Sequence, residues 1–303
     1  MKKYTSQEIK EFISERWFNE EVILRKDPAY PKISVVTPSY NQAQFLEKTI
    51  LSVLNQNYPN LEYIIIDGGS TDASVKIIKK YEKYLTYWIS EKDNGQADAI
   101  NKGFKIATGD IIAWQNSDDI YLQGAFFRVV KEFNKYLNAE VIFGNIYLID
   151  GDDNILKDMR FVPFNLEHLA YYDWNLSSQG VFWKGELFNK VGYLKNYKVS
   201  FDLDWFIRLG KATKKFRFIR SFLGGYRIHS KSKLSLIRNE TRKPIFIEIM
   251  RENSIAINES KNWAQQYRLK KLKAFLRKFF WYIAQGDINY IFKGVVRRLR
   301  DGK

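Results

Sequence analysis

Short apolar runs alternate with longer, helix-periodic segments along the first part of the chain. Ile33 to Thr37 is a β-branched run, and Tyr63 to Ile66 and Ile111 to Trp114 are further compact apolar runs. Between them, Ala43 to Asn55 places Phe45, Ile50, Val53 and Leu54 at helical spacing, and Ala73 to Tyr84 and Ala97 to Ala107 read the same way. Strands separated by helices in this manner predict βαβ units and a mostly parallel sheet flanked by helices. Ahead of the pattern, residues 5–19 read as a short polar helix, and Pro28 and Pro31 break the chain before the first strand. Beyond about residue 140 the alternation loosens. Val141 to Leu148, Gly180 to Trp183 and Phe216 to Ile219 read as strands and Leu203 to Ala212 as a helix, before a basic, aromatic, helix-periodic tail begins near residue 240.

Parallel sheets bind ligands beyond the carboxyl ends of their strands. Three polar clusters fall at such ends: Pro38-Ser39-Tyr40-Asn41, Asp67 to Asp72, and Asn116-Ser117-Asp118-Asp119. The glycines of Asp67-Gly68-Gly69 permit a sharp turn and close ligand approach, and Ser70, Thr71 and Asp72 can cap the next helix. An ordinary strand-to-helix turn would look the same. Adjacent carboxylates such as Asp118 and Asp119 repel unless a cation or proton intervenes, and hard divalent ions such as Mg²⁺ or Mn²⁺ suit oxygen ligands shared with phosphates. A capped helix start is the plainer reading of that run. Asp202 and Asp204 cannot share a helical face, so one can enter the crevice while the other caps or pairs, with Arg208 at the i, i+4 spacing. Of the two histidines, His229 sits among basic and hydroxyl residues that suit a phosphate, whereas His168 reads as structural.

Composition narrows the classes. The chain of 303 residues is 45% hydrophobic and 16% aromatic, which excludes a disordered chain, and it holds no cysteine, which excludes disulfides and thiolate metal sites. No run of about 20 apolar residues predicts a membrane span. The start lacks a signal-peptide core, so a cytoplasmic location is expected. A net charge of +15 calls for an anionic partner, whether nucleic acid, lipid headgroups or phosphorylated substrate. There is no GxGxxG, no GxSxG and no Gly-rich loop ending in Gly-Lys-Ser/Thr, which argues against dehydrogenase, serine hydrolase and kinase chemistry.

The ordered set Thr37-Pro38-Ser39-Tyr40-Asn41, Asp67 to Asp72, Asp93-Asn94-Gly95-Gln96, Asn101-Lys102-Gly103 and Asn116 to Asp119 resembles the inverting family 2 glycosyltransferases of the GT-A fold. Gln179 to Trp183, Asp202-Leu203-Asp204 with Arg208, and Arg227-Ile228-His229 with Ser232 resemble that family's acceptor half. The resemblance covers roughly residues 32–235. It implies a nucleotide-sugar donor, with a UDP-sugar expected, a Mn²⁺ or Mg²⁺ ion, and a glycan or lipid-linked acceptor. Pro38, Ser39, Tyr40 and Asn41 would line the nucleotide pocket, Asp67 would hydrogen-bond the base, and Asp93 and Gln96 would complete the pocket. Asp118 would bind the metal with Asp119 in support, Asn116 and Ser117 would lie against the donor, His229 near the diphosphate, and Asp202 would be the catalytic base. Asn116 replaces the first acid of the family's DxD motif, and Phe201 the acid that often precedes the base. The implied domains are an N-terminal helical extension (1–31), a catalytic domain (32–238, divided near 122) and a tail (239–303).

Residues 267–303 carry 11 Lys/Arg against Asp287 and Asp301 alone. Leu269, Leu272, Leu276, Phe279, Phe280 and Ile283 share one arc, with Lys270, Lys271, Lys273, Arg277 and Lys278 opposite and Trp281 and Tyr282 as interfacial anchors. Ile288 to Leu299 repeats the pattern. An anionic membrane surface is therefore the expected partner, peripheral on the inner face of the cell membrane. A helix packed on the domain or in a homo-oligomer is the alternative. A nucleotidyltransferase would need a glycine-rich basic loop after its first strand, which is missing. A non-enzymatic binder would not need Asp118, Asp119 and Asp202 together. No nucleic-acid partner is expected, because an apolar stripe accounts for the tail's aromatics.

Overall fold

The computed structural model describes residues 2–171, 176–230, 232, 239–255, 261–287 and 290. Helices α1 (Ser6–Ser14) and α2 (Glu20–Arg25) lead into strand β1 (Ile33–Ser39), followed by α3 (Ala43–Leu54), β2 (Leu61–Asp67), α4 (Ser74–Tyr81), β3 (Tyr87–Ser90), α5 (Gln96–Ile106) and β4 (Ile111–Trp114). The second half runs β5 (Ile120–Tyr121), α6 (Ala125–Lys135), β6 (Val141–Ile149), β7 (Ile155–Met159), α7 (Leu166–Tyr171), β8 (Val181–Lys184), α8 (Phe188–Val191), α9 (Phe201–Ala212) and β9 (Phe216–Arg227). Two helices end the described chain, α10 (Asn239–Glu252) and α11 (Lys261–Ala284).

One sheet runs β3-β2-β1-β4-β8-β6-β9-β5, with β7 paired to β6. β1 to β4 are mutually parallel, as the alternation predicts. The second half is mixed: β8 is antiparallel to β4 and β6, and β6 is parallel to β9. The apolar runs are continuous because both sheet faces are covered. Ile33 and Val35 of β1 join the core under α3 and α6, while Val36 joins the opposite core with α5 and α9. β2 divides in the same way, Tyr63 and Ile65 on one side and Ile64 and Ile66 on the other.

Several expectations change. The helix over 5–19 ends at Ser14, and Ile9, Phe12 and Ile13 of α1 are buried with Ile120, Leu122, Tyr147 and Phe222. β9 continues well past Ile219, through Gly224 and Gly225, which mask it in the sequence because glycine weakens a strand pattern. Gly224 is required there, because a Cβ would collide with the carbonyl oxygen of Gln179. In the tail, α11 packs against α7, which is the alternative of a helix packed on the domain. Tyr282 is no interfacial anchor: it is 4% exposed and its hydroxyl donates to Arg160 O at 2.6 Å. The second tail stretch, apart from Tyr290, lies outside the described residues.

α5 crosses β1 closely at Gly103, where a Cβ would run into both γ-methyl groups of Val36. Val36 is wholly buried and cannot swing away. Gly103→Ala is therefore expected to cost about 1–3 kcal/mol through overpacking, despite alanine's better helix propensity. A lower denaturant midpoint at unchanged slope would show it, and equal or higher stability would contradict the close crossing.

Candidate active site

The carboxyl ends of β1, β2 and β3 are lashed together before any ligand arrives. The Asp67 carboxylate accepts from Ser70 N (2.8 Å), Ser70 Oγ (2.6 Å) and Ser90 Oγ (2.7 Å). Asn41, at φ 51°, accepts from Thr71 N at 2.8 Å while its own N–H donates to Ser70 Oγ at 2.8 Å. Asp72 accepts from Ala43 N (3.0 Å) and Ser74 N (2.9 Å), joining the starts of α3 and α4. These loops form part of the wall of a cavity of about 1270 Å³.

Pro38, Ser39, Tyr40, Asn41, Asp93, Gln96, Asn116, Ser117, Asp118, Asp202 and His229 all line this cavity, so residues far apart in the sequence converge as expected. Asp67 and Asp119 do not. Asp67 is 0% exposed and spends its oxygens on the serines beneath the wall, so it shapes the loop instead of facing a base. Asp93 is a carboxylate that does line the cavity there, as does Asp72. Asp93 lies over Gly68, where an added Cβ would stand 2.5 Å from Asp93 Oδ2, and its Oδ1 accepts from Gly95 N at 2.8 Å.

Asp119 is likewise 0% exposed, which corrects its expected role as a metal ligand. Its carboxylate accepts from Arg227 N (2.8 Å), Asn116 Nδ2 (2.9 Å) and Gln179 Nε2 (2.5 Å). Burial, and then the charge of Asp118, push its pKa up to about 8, against the pull of these donors. Gln96 Nε2 in turn donates to Asn116 Oδ1 at 2.8 Å. The Asn116 amide thus accepts on one side and donates on the other, which a carboxylate could not do. An aspartate at 116 would bring a third acid group against Asp118 and Asp119 at a site where burial already disfavours ionisation.

Asp118 is the member of the pair turned to the cavity. Its Oδ2 lies 3.2 Å from His229 Nε2, and Phe45 packs on the imidazole at 4.6 Å between ring centres. The backbone beneath is pinned from two sides. Thr49 Oγ1 donates to Ser117 O (2.9 Å) and Asp119 O (2.7 Å), and Arg227 Nε donates to Asp118 O (2.7 Å). Ligands at right angles on an ion with bonds of about 2.1 Å are separated by roughly 3 Å, so Asp118 and His229 fit one divalent cation. No cluster of three or more His, Cys, Asp or Glu exists among the described residues. Further ligands would therefore be water or substrate oxygen, as is usual for ions shared with phosphates.

Asp202 and Asp204 separate at the start of α9 as the helical geometry requires. Asp202 reaches the cavity, whereas Asp204 is 0% exposed and accepts from Arg208 Nε at 2.9 Å and Asn253 Nδ2 at 2.7 Å. Tyr226, also on the cavity wall, is held as a neutral phenol: burial first, then Asp119, Asp118 and Asp202, drive its pKa far above the usual tyrosine value. Arg242, Lys243 and Phe246 of α10 and Leu169 and Ala170 of α7 complete the wall. Sequence reading assigns none of these a role, and no local pattern marks them.

Arg227, which the sequence places in the Arg227-Ile228-His229 motif beside the phosphate-suited residues, is wholly buried. Besides Asp118 O, its guanidinium donates to Asp150 O at 3.1 Å and pairs with Asp153, which Lys48 also engages at 2.5 Å. Phe45 lies under it at 4.8 Å. β5 and β9 pair at Ile120 and Gly225, and that register delivers Arg227 beside the two acids. Arg227→Met keeps the bulk but removes the charge, leaving Asp153 buried with Lys48 alone. The expected cost is about 3–5 kcal/mol in a denaturant titration. A loss under about 1 kcal/mol would mean that the ion pair does not hold this corner.

The glycosyl transferase family 2 profile matches residues 34–204. An uncharacterized glycosyltransferase of Methanocaldococcus jannaschii is 28% identical over 219 residues, covering 69% of this chain and 76% of the relative. TuaG of Bacillus subtilis, named as a teichuronic acid biosynthesis glycosyltransferase, is 42% identical over 148 residues, 47% of this chain and 56% of its own. The chain thus spans little more than half of that relative. Among solved structures, S. aureus TarS with UDP-GlcNAc superposes with a TM-score of 0.61 at 18% identity, covering 82% of this chain and 72% of TarS. The mannosyltransferase PcManGT of Pyrobaculum calidifontis, solved with GDP-Man and Mn²⁺, gives 0.58 at 14% identity over 97% of this chain and 87% of its own. These likenesses establish the GT-A fold. With more than half of its length matched, the chain belongs to glycosyl transferase family 2.

Proposed function

We propose that this protein is an inverting, metal-dependent glycosyltransferase that moves a sugar from a nucleotide-sugar donor, a UDP-sugar foremost, to a hydroxyl of a lipid-linked glycan. The reading is carried by one observation: Asp118, His229 and Asp202 converge on a single cavity in a chain of this family. The donor class is supported by the nucleotide-sugar complexes of TarS and PcManGT, and a role in surface polysaccharide synthesis by the likeness to TuaG.

Tyr40, 60% exposed on the cavity wall, offers a ring face for a base, and Asp93 and Gln96 offer polar groups to its edge and to the ribose. Asp118 and His229 would hold the cation, Mn²⁺ ahead of Mg²⁺ because one ligand is an imidazole nitrogen. When bound, the ion supplies positive charge against the diphosphate that departs. Asp202 takes the proton of the acceptor hydroxyl. The acceptor oxygen bonds to the anomeric carbon as the bond to the diphosphate oxygen breaks on the opposite face, so the configuration inverts in one displacement. Tyr226, kept neutral, can donate a hydrogen bond but adds no charge.

Asp202→Asn should lower turnover by about 10²–10⁴ while the thermal stabilisation by nucleotide sugar persists. Turnover at the wild-type rate would remove Asp202 from the reaction. A donor at about 100 times its Kd stabilises by ~2.7 kcal/mol, well within reach of a thermal-shift panel run with and without Mn²⁺. Asp118→Ala and His229→Ala should each abolish the Mn²⁺-dependent part of that shift. An Mn²⁺ response equal to the wild type in both would place the ion elsewhere.

A further inference from the structure

α11 uses one side for the domain and leaves another side apolar and uncovered. Its docked side buries Ala274 and Tyr282, sets Trp281 against Phe218 at 6.3 Å, and is followed by Asp287, which pairs with Arg160 and Arg220, each at 2.8 Å. On the outer side Leu269 (52%), Leu272 (52%), Leu276 (40%), Phe280 (61%) and Ile283 (40%) are exposed. At 3.6 residues per turn these five fall within an arc of roughly 80°. Isolated exposed apolar residues are ordinary, but a continuous seam of this size marks an interaction surface.

Charge selects the occupant. From Lys261 to Ala284 the helix contains no Asp or Glu, and Lys273, Arg277 and Arg268 flank the seam. A second copy meeting this seam about a two-fold axis would bring basic flank against basic flank with no acid on the helix to pair. No helix of the described residues is long and apolar enough to cross a membrane. We propose that α11 is a docking surface for the anionic face of a lipid bilayer, with the seam from Leu269 to Ile283 seated among the headgroups and acyl-chain ends and the flanking cations against lipid phosphate. This departs from a freely lying amphipathic tail, because the face turned to lipid is the one left over once the domain has taken its own.

The placement also bears on the acceptor, and that part rests on the transferase reading. α7 lies between the two features. It carries Leu169 and Ala170 on the cavity wall, and it packs against α11, with Glu167 3.9 Å from Lys270. Docking by α11 would hold that wall beside the bilayer, where an acceptor hydroxyl borne on a lipid is presented.

Flotation of the whole chain with vesicles tests the surface, using phosphatidylcholine alone and phosphatidylcholine mixed with phosphatidylglycerol. Most of the protein should float with the anionic vesicles and little with the neutral ones, and the preference should fall as salt shortens the screening length. Leu272→Glu with Phe280→Glu should lower partition at least tenfold, and Lys273→Glu with Arg277→Glu should remove the preference for anionic lipid. All four side chains lie at the surface, so the nucleotide-sugar thermal shift should be retained and certifies the fold. Undiminished flotation of Leu272→Glu/Phe280→Glu, or no flotation of the wild type, overturns the proposal. So does a wild-type dimer in light scattering that this variant dissolves, since the seam would then belong to a second copy. Vesicle binding without any response to nucleotide sugars would instead sink the transferase reading and leave the surface standing.

Discussion

A carboxylate can be buried in this fold only if donors are brought to it, and the architecture around Asp119 is arranged by that demand. Its three donors come from three separate parts of the chain: Asn116 beyond β4, Gln179 before β8, and the main chain of Arg227 at the end of β9. Each of these must be in register before the others make sense. Arg227, once placed, also fixes the carbonyl of Asp118 and reaches Asp153 in the turn between β6 and β7. The acid that faces the cavity is thus held by one that does not, and leaving any of those donors or the acceptor unpaired would cost about 1–3 kcal/mol.

This arrangement gives the asparagine at position 116 a definite role. Asn116 is a relay between Gln96 and Asp119, accepting from one and donating to the other. Its neutrality is a requirement of the buried neighbour, whose pKa burial and Asp118 already raise. Asn116 therefore has a structural place in this site, set by the groups on either side of it. The same logic separates Asp202 from Asp204. Two residues apart on a helix, they divide into one side chain for the cavity and one for Arg208 and Asn253, and the spacing alone foretells the division.

The sheet and the place of the candidate cavity are legible because they follow from local rules. Strands buried on both faces are apolar runs, and loops at their carboxyl ends collect the polar residues. The fates of individual acids were less legible. Asp67 and Asp93 both follow a strand, and nothing local says that Ser70 and Ser90 will claim the first while the second lies over Gly68. Arg227 was invisible as a keystone for the same reason, since Asp118, Asp150 and Asp153 are remote from it in sequence. The far half of β9 carries no strand signal because its glycines, needed for passage beside Gln179, erase the pattern that marks a strand.

The tail shows a different limit. A helical wheel reports which residues share an arc, but not which arc the protein itself will cover. On α11 apolar side chains occur on more than one side, and Tyr282 goes to the domain while Phe280, two positions away, goes to solvent. What decides between them is the shape offered by α7 and by the Arg160 and Arg220 pairings with Asp287, all formed by residues distant in sequence. The seam that remains is consequently oriented by the same body that holds Asp118 and Asp202. Its direction relative to the cavity is a property of the fold, fixed before any partner is met.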